Sequence, residues 1–225
     1  MVIWMSVHLI IKRQNKGKSL ISKIFKLKFT LILFSTIFLV NYIAANEGKI
    51  TNVTLQTNIG AIHIELYSDK APITVANFLR YADGGHFDNT SFYRTVRYEN
   101  DNGSPKIEVI QGGIGDGKKE YPMIRHESTN ISGLKHLDGM LSMSRGAVDT
   151  ATSDFFICIG DQSSLDYGAT RNSDGLGFAA FGRVTSGMNI VRRIHQMPSD
   201  KPTENSYVKG QLINNPIIIK TIQRD

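Results

Sequence analysis

A single cysteine, Cys158, occurs among 225 residues, so no internal disulfide can form. It also lies far from any cleavage zone where a lipid could be attached. Its neighbours Phe155, Phe156, Ile157 and Ile159 predict a buried, inert thiol rather than a nucleophile. No Gly-x-Ser-x-Gly elbow is present. None of the six histidines (His8, His63, His86, His126, His136 and His195) stands at His-x-x-x-His spacing or has a recurring acidic partner, so no metal site is expected. Ser132-Gly133-Leu134-Lys135 fits Ser-x-x-Lys without the companion motifs of the acylating enzymes. Gly112 to Lys119 approaches a phosphate-cradling loop, but Lys119 stands where that loop needs Ser or Thr for magnesium. Paired glycines after a strand read instead as a tight exit turn. No cofactor is expected.

Acidic residues are missing from positions 1–45, which hold seven of the 26 basic residues. The remainder, 19 basic against 20 acidic, is close to neutral, so the net charge of +6 is poor support for nucleic-acid binding and none is expected. The basic stretch ends at Lys28. An apolar run, Phe29 to Val40, follows, and then the small residues Ala44 and Ala45. Positive flank, apolar core and small-residue zone are the parts of an export signal. The run is shorter than the roughly 20 residues that span a bilayer, and nearly long enough when counted through Ala45. Residues 1–45 are therefore expected to be a signal peptide or an uncleaved signal anchor. Residues 46–225 form one domain of ample size for a core, exported to the periplasm or held at the inner membrane by that anchor.

Alternating β-α-β units are also lacking. Residues 50–67 read as a hairpin, with Val53 and Leu55, then Ile62, Ile64 and Leu66, alternating with polar neighbours around Asn58-Ile59-Gly60. Residues 71–83 read as a helix with Pro72 in its first turn and Gly84-Gly85 at its end. Short strands are predicted at 91–97, 107–111, 139–144, 155–159 and 178–184, with a last one at 216–219. A second helix is predicted at 187–196, with Ser186 as cap and Ile190, Val191 and Ile194 facing inward. About eight short strands and two helices point to a mainly β fold: a closed antiparallel barrel capped by the helices. Two polar insertions, 97–106 and 160–177, read as exposed loops fringing a site.

Five blocks in fixed order carry the functional signal: Phe92-Tyr93-Arg94, Val109-Ile110-Gln111-Gly112-Gly113, Leu141-Ser142-Met143-Ser144-Arg145, Ser153 to Cys158, and Phe178 to Val184. An arginine in a strand is ordinarily a surface group. By alternation Phe92, Arg94 and Val96 share one face here, and Tyr93 and Thr95 the other. Together the blocks resemble the cyclophilin-type peptidyl-prolyl cis-trans isomerases, most closely their exported bacterial branch, over roughly residues 50–223. The resemblance implies an eight-stranded barrel with two capping helices, and proline-containing peptides and unfolded client proteins as partners of a monomeric enzyme. It implies Arg94 as catalytic residue with Gln111 supporting it. Phe156 would be the floor of the proline pocket, Val109 and Leu165 its wall, and Ser144-Arg145 the edge along which the substrate backbone lies. Tyr93 stands where histidine is frequent, Phe178 where histidine or tyrosine is usual, and Asp154 where glutamine is frequent. A phenylalanine that lines the pocket in the family aligns with Glu108, or with Ile107 if the longer insertion shifts the register. Ser164 replaces the tryptophan that contacts cyclosporin, so weak drug sensitivity is implied. A module that binds proline segments without turning them over is the alternative, motivated by Glu108. A lipocalin-like barrel with an apolar ligand would leave Arg94 and Gln111 without a role.

Overall fold

The computed structural model describes residues 49–115 and 121–225. The segment 1–45 expected to direct export, and Asp116 to Lys119 of the glycine-rich stretch, lie outside the described residues. Among the described residues no helix is long and apolar enough to cross a membrane.

Eight strands are β1 (Ile50–Thr57), β2 (Gly60–Tyr67), β3 (Thr90–Val96), β4 (Val109–Gly113), β5 (Met140–Met143), β6 (Phe155–Cys158), β7 (Ala179–Ser186) and β8 (Leu212–Arg224). The helices are α1 (Pro72–Asp83), a short α2 (Thr129–Ser132) and α3 (Met188–His195). The strands close into a barrel in the order β1-β2-β7-β5-β6-β4-β3-β8, every neighbouring pair antiparallel. This is the mainly β, helix-capped architecture expected from the pattern of short strands. Closure leaves no free sheet edge.

Three local expectations are corrected. The cap of α3 is Gly187 and not Ser186, which ends β7. Gly187 has φ +96°, and a Cβ there would stand 2.6 Å from the Ala61 carbonyl, so the reversal into the helix needs glycine. The last strand runs Leu212–Arg224 rather than 216–219. It pairs with β3 and then with β1, and Pro216 falls where the β3 ladder jumps from Ile217 to Leu212, so its missing N–H breaks no rung. Phe92 and Arg94 do not share a face. A bulge between them places two β3 residues opposite one on β4.

The helices fill the barrel from its ends. In α1, Pro72 occupies the first turn, and the carboxylate of Glu127 accepts the backbone N–H groups of Ile73 (3.1 Å) and Thr74 (2.8 Å) and the Thr74 hydroxyl (2.7 Å). Those amides have no partner within the helix, so a distant acid supplies the cap. Val75, Phe78 and Leu79 of α1 join Val191 and Ile194 of α3 in one core with Ile62, Ile64, Phe92, Phe155 and Phe181. Phe78 meets Phe155 edge-on at 5.4 Å. The interior is packed with side chains, which removes the ligand-carrying barrel as a reading.

Candidate active site

The site lies on the outer face of the barrel wall, and strand alternation puts it there. In β6, Phe155 and Ile157 face the core while Phe156 and Cys158 belong to a second apolar cluster outside it. In β4, Ile110 faces in and Val109 out; in β5, Leu141 and Met143 face in and Met140 out. The pairing register then sets a row across the wall: Arg94 opposite Gln111, Gln111 opposite Phe156, Phe156 opposite Ser142. The bulge in β3 turns Arg94 onto this row although Phe92, two residues earlier, is a core residue. Beside Gln111, Gly112 lets the Phe92 ring lie against the strand, since a Cβ there would be 2.8 Å from it.

Above the row is a cleft of about 80 Å³. Phe156 (5% exposed), Val109 and fully buried Leu165 form its apolar part, with Ile107 beside them. Phe178 closes one side, its ring edge-on to Phe156 at 5.3 Å. Such a space accepts one small side chain and is well below the roughly 300 Å³ at which cofactor-sized pockets begin. A larger hollow of about 710 Å³ beside α1 holds Arg80, Asp83 and Arg224, but Arg224 is paired to Asp83 and Arg80 is held over the Tyr121 ring.

Arg94 is fixed by two amides. Its Nη1 donates to Gln111 Oε1 (2.9 Å), and its Nε (2.9 Å) and Nη2 (2.6 Å) both donate to Gln211 Oε1. Gln111 in turn donates through Nε2 to the Tyr93 hydroxyl (2.7 Å) and to Ser144 Oγ (3.3 Å), and Tyr93 donates to Asp154 Oδ2 (3.0 Å). The Tyr207 ring lies 5.1 Å from the guanidinium. Burial lowers the pKa of Arg94, which the neighbouring Tyr207 hydroxyl opposes; an arginine stays charged in either case. Burial, and then the Asp154 carboxylate, push the Tyr93 phenol far up, so it is neutral at ordinary pH.

The structure thus brings Arg94, Gln111, Val109, Ser144, Arg145, Phe156, Leu165 and Phe178 to one cleft. Tyr93 stands beside the bulge, is not among the residues lining the cleft, and its hydroxyl accepts from Gln111. The Arg145 side chain, 1% exposed, is spent on Asp174 (2.7 and 2.9 Å) and the Gly177 carbonyl. Ile107, and not Glu108, takes the pocket position: Glu108 Oε1 lies 3.9 Å from His195 Nε2, and Glu108 does not line the cleft. Behind the Phe156 ring, His136 stacks at 6.1 Å, bonded to Asp166 (2.8 Å) and Ser142 (2.9 Å). Cys158 is fully buried, and burial raises its pKa, as an inert thiol requires.

Sequence reasoning missed three site residues. Gln211 is fully buried and donates to the Asn100 carbonyl (2.7 Å) while it accepts from Arg94. Arg171 crosses between the two polar insertions to grip Asp101 with both terminal nitrogens (2.7 and 2.9 Å), both side chains nearly inaccessible. Burial alone would raise the Asp101 pKa, but Arg171 and the amides of Gly103 and Ile107 outweigh it and hold the acid below its usual value. Tyr207 belongs to a short turn before β8. The polarity of the insertions was the available signal, but nothing in their order shows which residue reaches the cleft.

The family model for "Cyclophilin type peptidyl-prolyl cis-trans isomerase/CLD" matches residues 52–220. Peptidyl-prolyl cis-trans isomerase A of Dickeya dadantii is 34% identical over 176 residues, 76% of this chain and 85% of that protein. Peptidyl-prolyl cis-trans isomerase B of Escherichia coli is 37% identical over 173 residues, 72% of this chain and 99% of that protein. The crystal structure of a Cryptosporidium parvum cyclophilin-type isomerase superposes with a TM-score of 0.62 at 25% identity, covering 79% of this chain and 98% of that one. The matched span takes in all but the outer ends of β1 and β8 and every residue of the cleft, and the chain belongs to the cyclophilin-type peptidyl-prolyl cis-trans isomerase family.

Proposed function

We propose that this protein accelerates rotation about X-Pro peptide bonds outside the cytoplasm, with Arg94 as the catalytic residue. Isomerisation is the family's reaction. The observation that carries the residue assignment is a guanidinium held by two amides at the lip of an apolar cleft.

Rotation about a peptide bond faces about 18–20 kcal/mol because resonance must be broken, and for X-Pro it takes tens to hundreds of seconds. No covalent bond changes, so neither nucleophile nor metal is needed. In the twisted state the proline nitrogen becomes pyramidal and regains its lone pair. A fixed guanidinium donates to that lone pair and gains little from the planar amide, which is binding selective for the transition state. Of the five N–H groups of an arginine, Arg94 commits Nε–H, one on Nη1 and one on Nη2 to Gln111 and Gln211, and with the Tyr207 hydroxyl also bonded to the guanidinium one N–H remains for substrate. Phe156 forms the floor for the pyrrolidine, Val109, Leu165 and Ile107 its wall, and Ser144-Arg145 the backbone edge. This apolar wall disfavours the charge-separated planar amide more than the twisted one. A thousandfold acceleration needs only about 4 kcal/mol. One charged hydrogen bond together with orientation supplies that much.

Residues 1–45 act as signal peptide or anchor in this reading, supported by the acid-free basic flank and the apolar run after it. In this reading the enzyme works in the periplasm, free or anchored at the inner membrane, as a monomer acting on unfolded client proteins. The binding-only alternative loses its motive, since Glu108 does not reach the cleft. Exchange NMR on a peptide with one X-Pro bond tests the activity. Faster cis–trans exchange at catalytic protein concentration is expected; peptide affinity without faster exchange would overturn it.

A further inference from the structure

We infer that Gln211 is a positioning residue for catalysis, and that it makes the orientation of Arg94 depend on the polar insertion after β3. The inference rests on the isomerase reading above. Gln111 holds only one corner of the guanidinium, through Nη1. A single contact leaves the plane free to swing about it. Gln211 accepts from Nε and Nη2 together, and a shared acceptor on that edge fixes both the plane and the direction of the N–H groups that Gln111 and Gln211 do not take. Arginine carries no acceptor, so the amide must turn its oxygen to Arg94 and its NH₂ elsewhere. That NH₂ donates to the Asn100 carbonyl (2.7 Å), which fixes the amide's orientation in turn.

The backbone around Gln211 is equally constrained. Its carbonyl accepts from Thr95 N–H (2.9 Å), one residue from Arg94, and its own N–H donates to the Val208 carbonyl (3.0 Å). Asn100 is tied to the Gly210 carbonyl (2.9 Å) and to Ser199 (3.3 Å). The 97–106 insertion and the segment before β8 therefore converge on one fully buried amide that touches the catalytic group. A solvent-exposed glutamine would hold the guanidinium weakly. A dry one, with both ends satisfied, does so without reorganising during the reaction.

The test uses the full-length chain. Gln211→Met keeps the volume and removes the acceptor. It is expected to lower kcat for an X-Pro peptide about tenfold with KM nearly unchanged, and to abolish the slowly exchanging Arg94 Nε–H resonance. Glu127→Gln, which weakens the cap of α1 and touches neither Arg94 nor Gln211, is the structural control. It is expected to lower the thermal midpoint while retaining the Nε–H signal and kcat. If both variants lose stability alike and neither changes kcat nor the Nε–H signal, the inference is overturned. Should Gln211→Met fail to fold, the wild type still decides: an Arg94 Nε–H that exchanges as fast as that of an exposed arginine overturns it, and a protected one supports it. Arg94→Ala separates the two levels, because full activity in that variant would overturn the isomerase assignment of Arg94 itself, whatever Gln211 does.

Discussion

Phe155 and Phe156 are adjacent in one strand and serve opposite sides of the same wall. Phe155, wholly inaccessible, touches Phe78, Phe87 and Phe92 edge-on inside the barrel. Phe156 faces outward, between the His136 ring behind it and Phe178 at the cleft. The inner face is apolar apart from residues such as Thr57 and Thr95, and it specifies the fold. The outer face mixes apolar floor with amides, hydroxyls and the guanidiniums of Arg94, Arg145 and Arg171, each held by a named partner. Among the described residues no buried side-chain nitrogen or oxygen lacks a hydrogen bond. A rigid wall with two unlike faces lets the site be polar without its own polar groups entering the core.

That contrast is open to direct attack. Phe155→Ala leaves a cavity in the packed interior and is expected to cost about 3–5 kcal/mol of stability, with the activity per folded molecule unchanged. Phe156→Ala is expected to do the reverse: kcat/KM falls about thirtyfold with a smaller stability loss. Chemical denaturation and peptide kinetics on the two variants check this, and equal losses in both readouts would erase the distinction between the faces. Asp101→Asn unpairs a buried Arg171 at the rim of the cleft and is expected to cost about 2–3 kcal/mol, seen in the denaturation midpoint.

The smallest effect expected is on pH. Burial lowers the pKa of His126 and of His195, so the folded state binds fewer protons than the unfolded one. Their stabilising contribution is present above the unfolded histidine value of 6.5 and is lost as pH falls from there toward their lowered values. The thermal midpoint should therefore decline between about pH 7 and 5. Catalysis should not follow, because Arg94 stays charged and Tyr93 stays neutral across roughly pH 6–9. A bell-shaped kcat/KM over that range would show a titrating group in the cleft that the account lacks.

Much of the inner face was legible from alternation alone: Ile62, Ile64 and Leu66 are core residues, and Pro72 marks the start of its helix. The double phenylalanine was legible as a feature, and strand period two explains why it serves two faces. The bulge at Tyr93 was not legible, since it arises from β3 pairing with both β4 and β8, whereas alternation assumes an unbroken pleat. Gln211 was hidden for a related reason. It stands 117 positions from Arg94 in a stretch without periodicity, and only barrel closure through β8 brings it beneath the guanidinium. Ile107 displaced Glu108 from the pocket because two Asp101-bound amides, those of Gly103 and Ile107, set the path of the insertion.

The most direct measurement is the X-Pro exchange rate with Arg94→Ala beside the wild type, together with the thermal midpoint of each. A transition-state hydrogen bond from a fixed donor is worth about 3–4 kcal/mol, so the variant should lose roughly a hundredfold to a thousandfold in kcat while melting close to the wild type. Undiminished exchange in a folded Arg94→Ala protein would contradict the role given to the guanidinium.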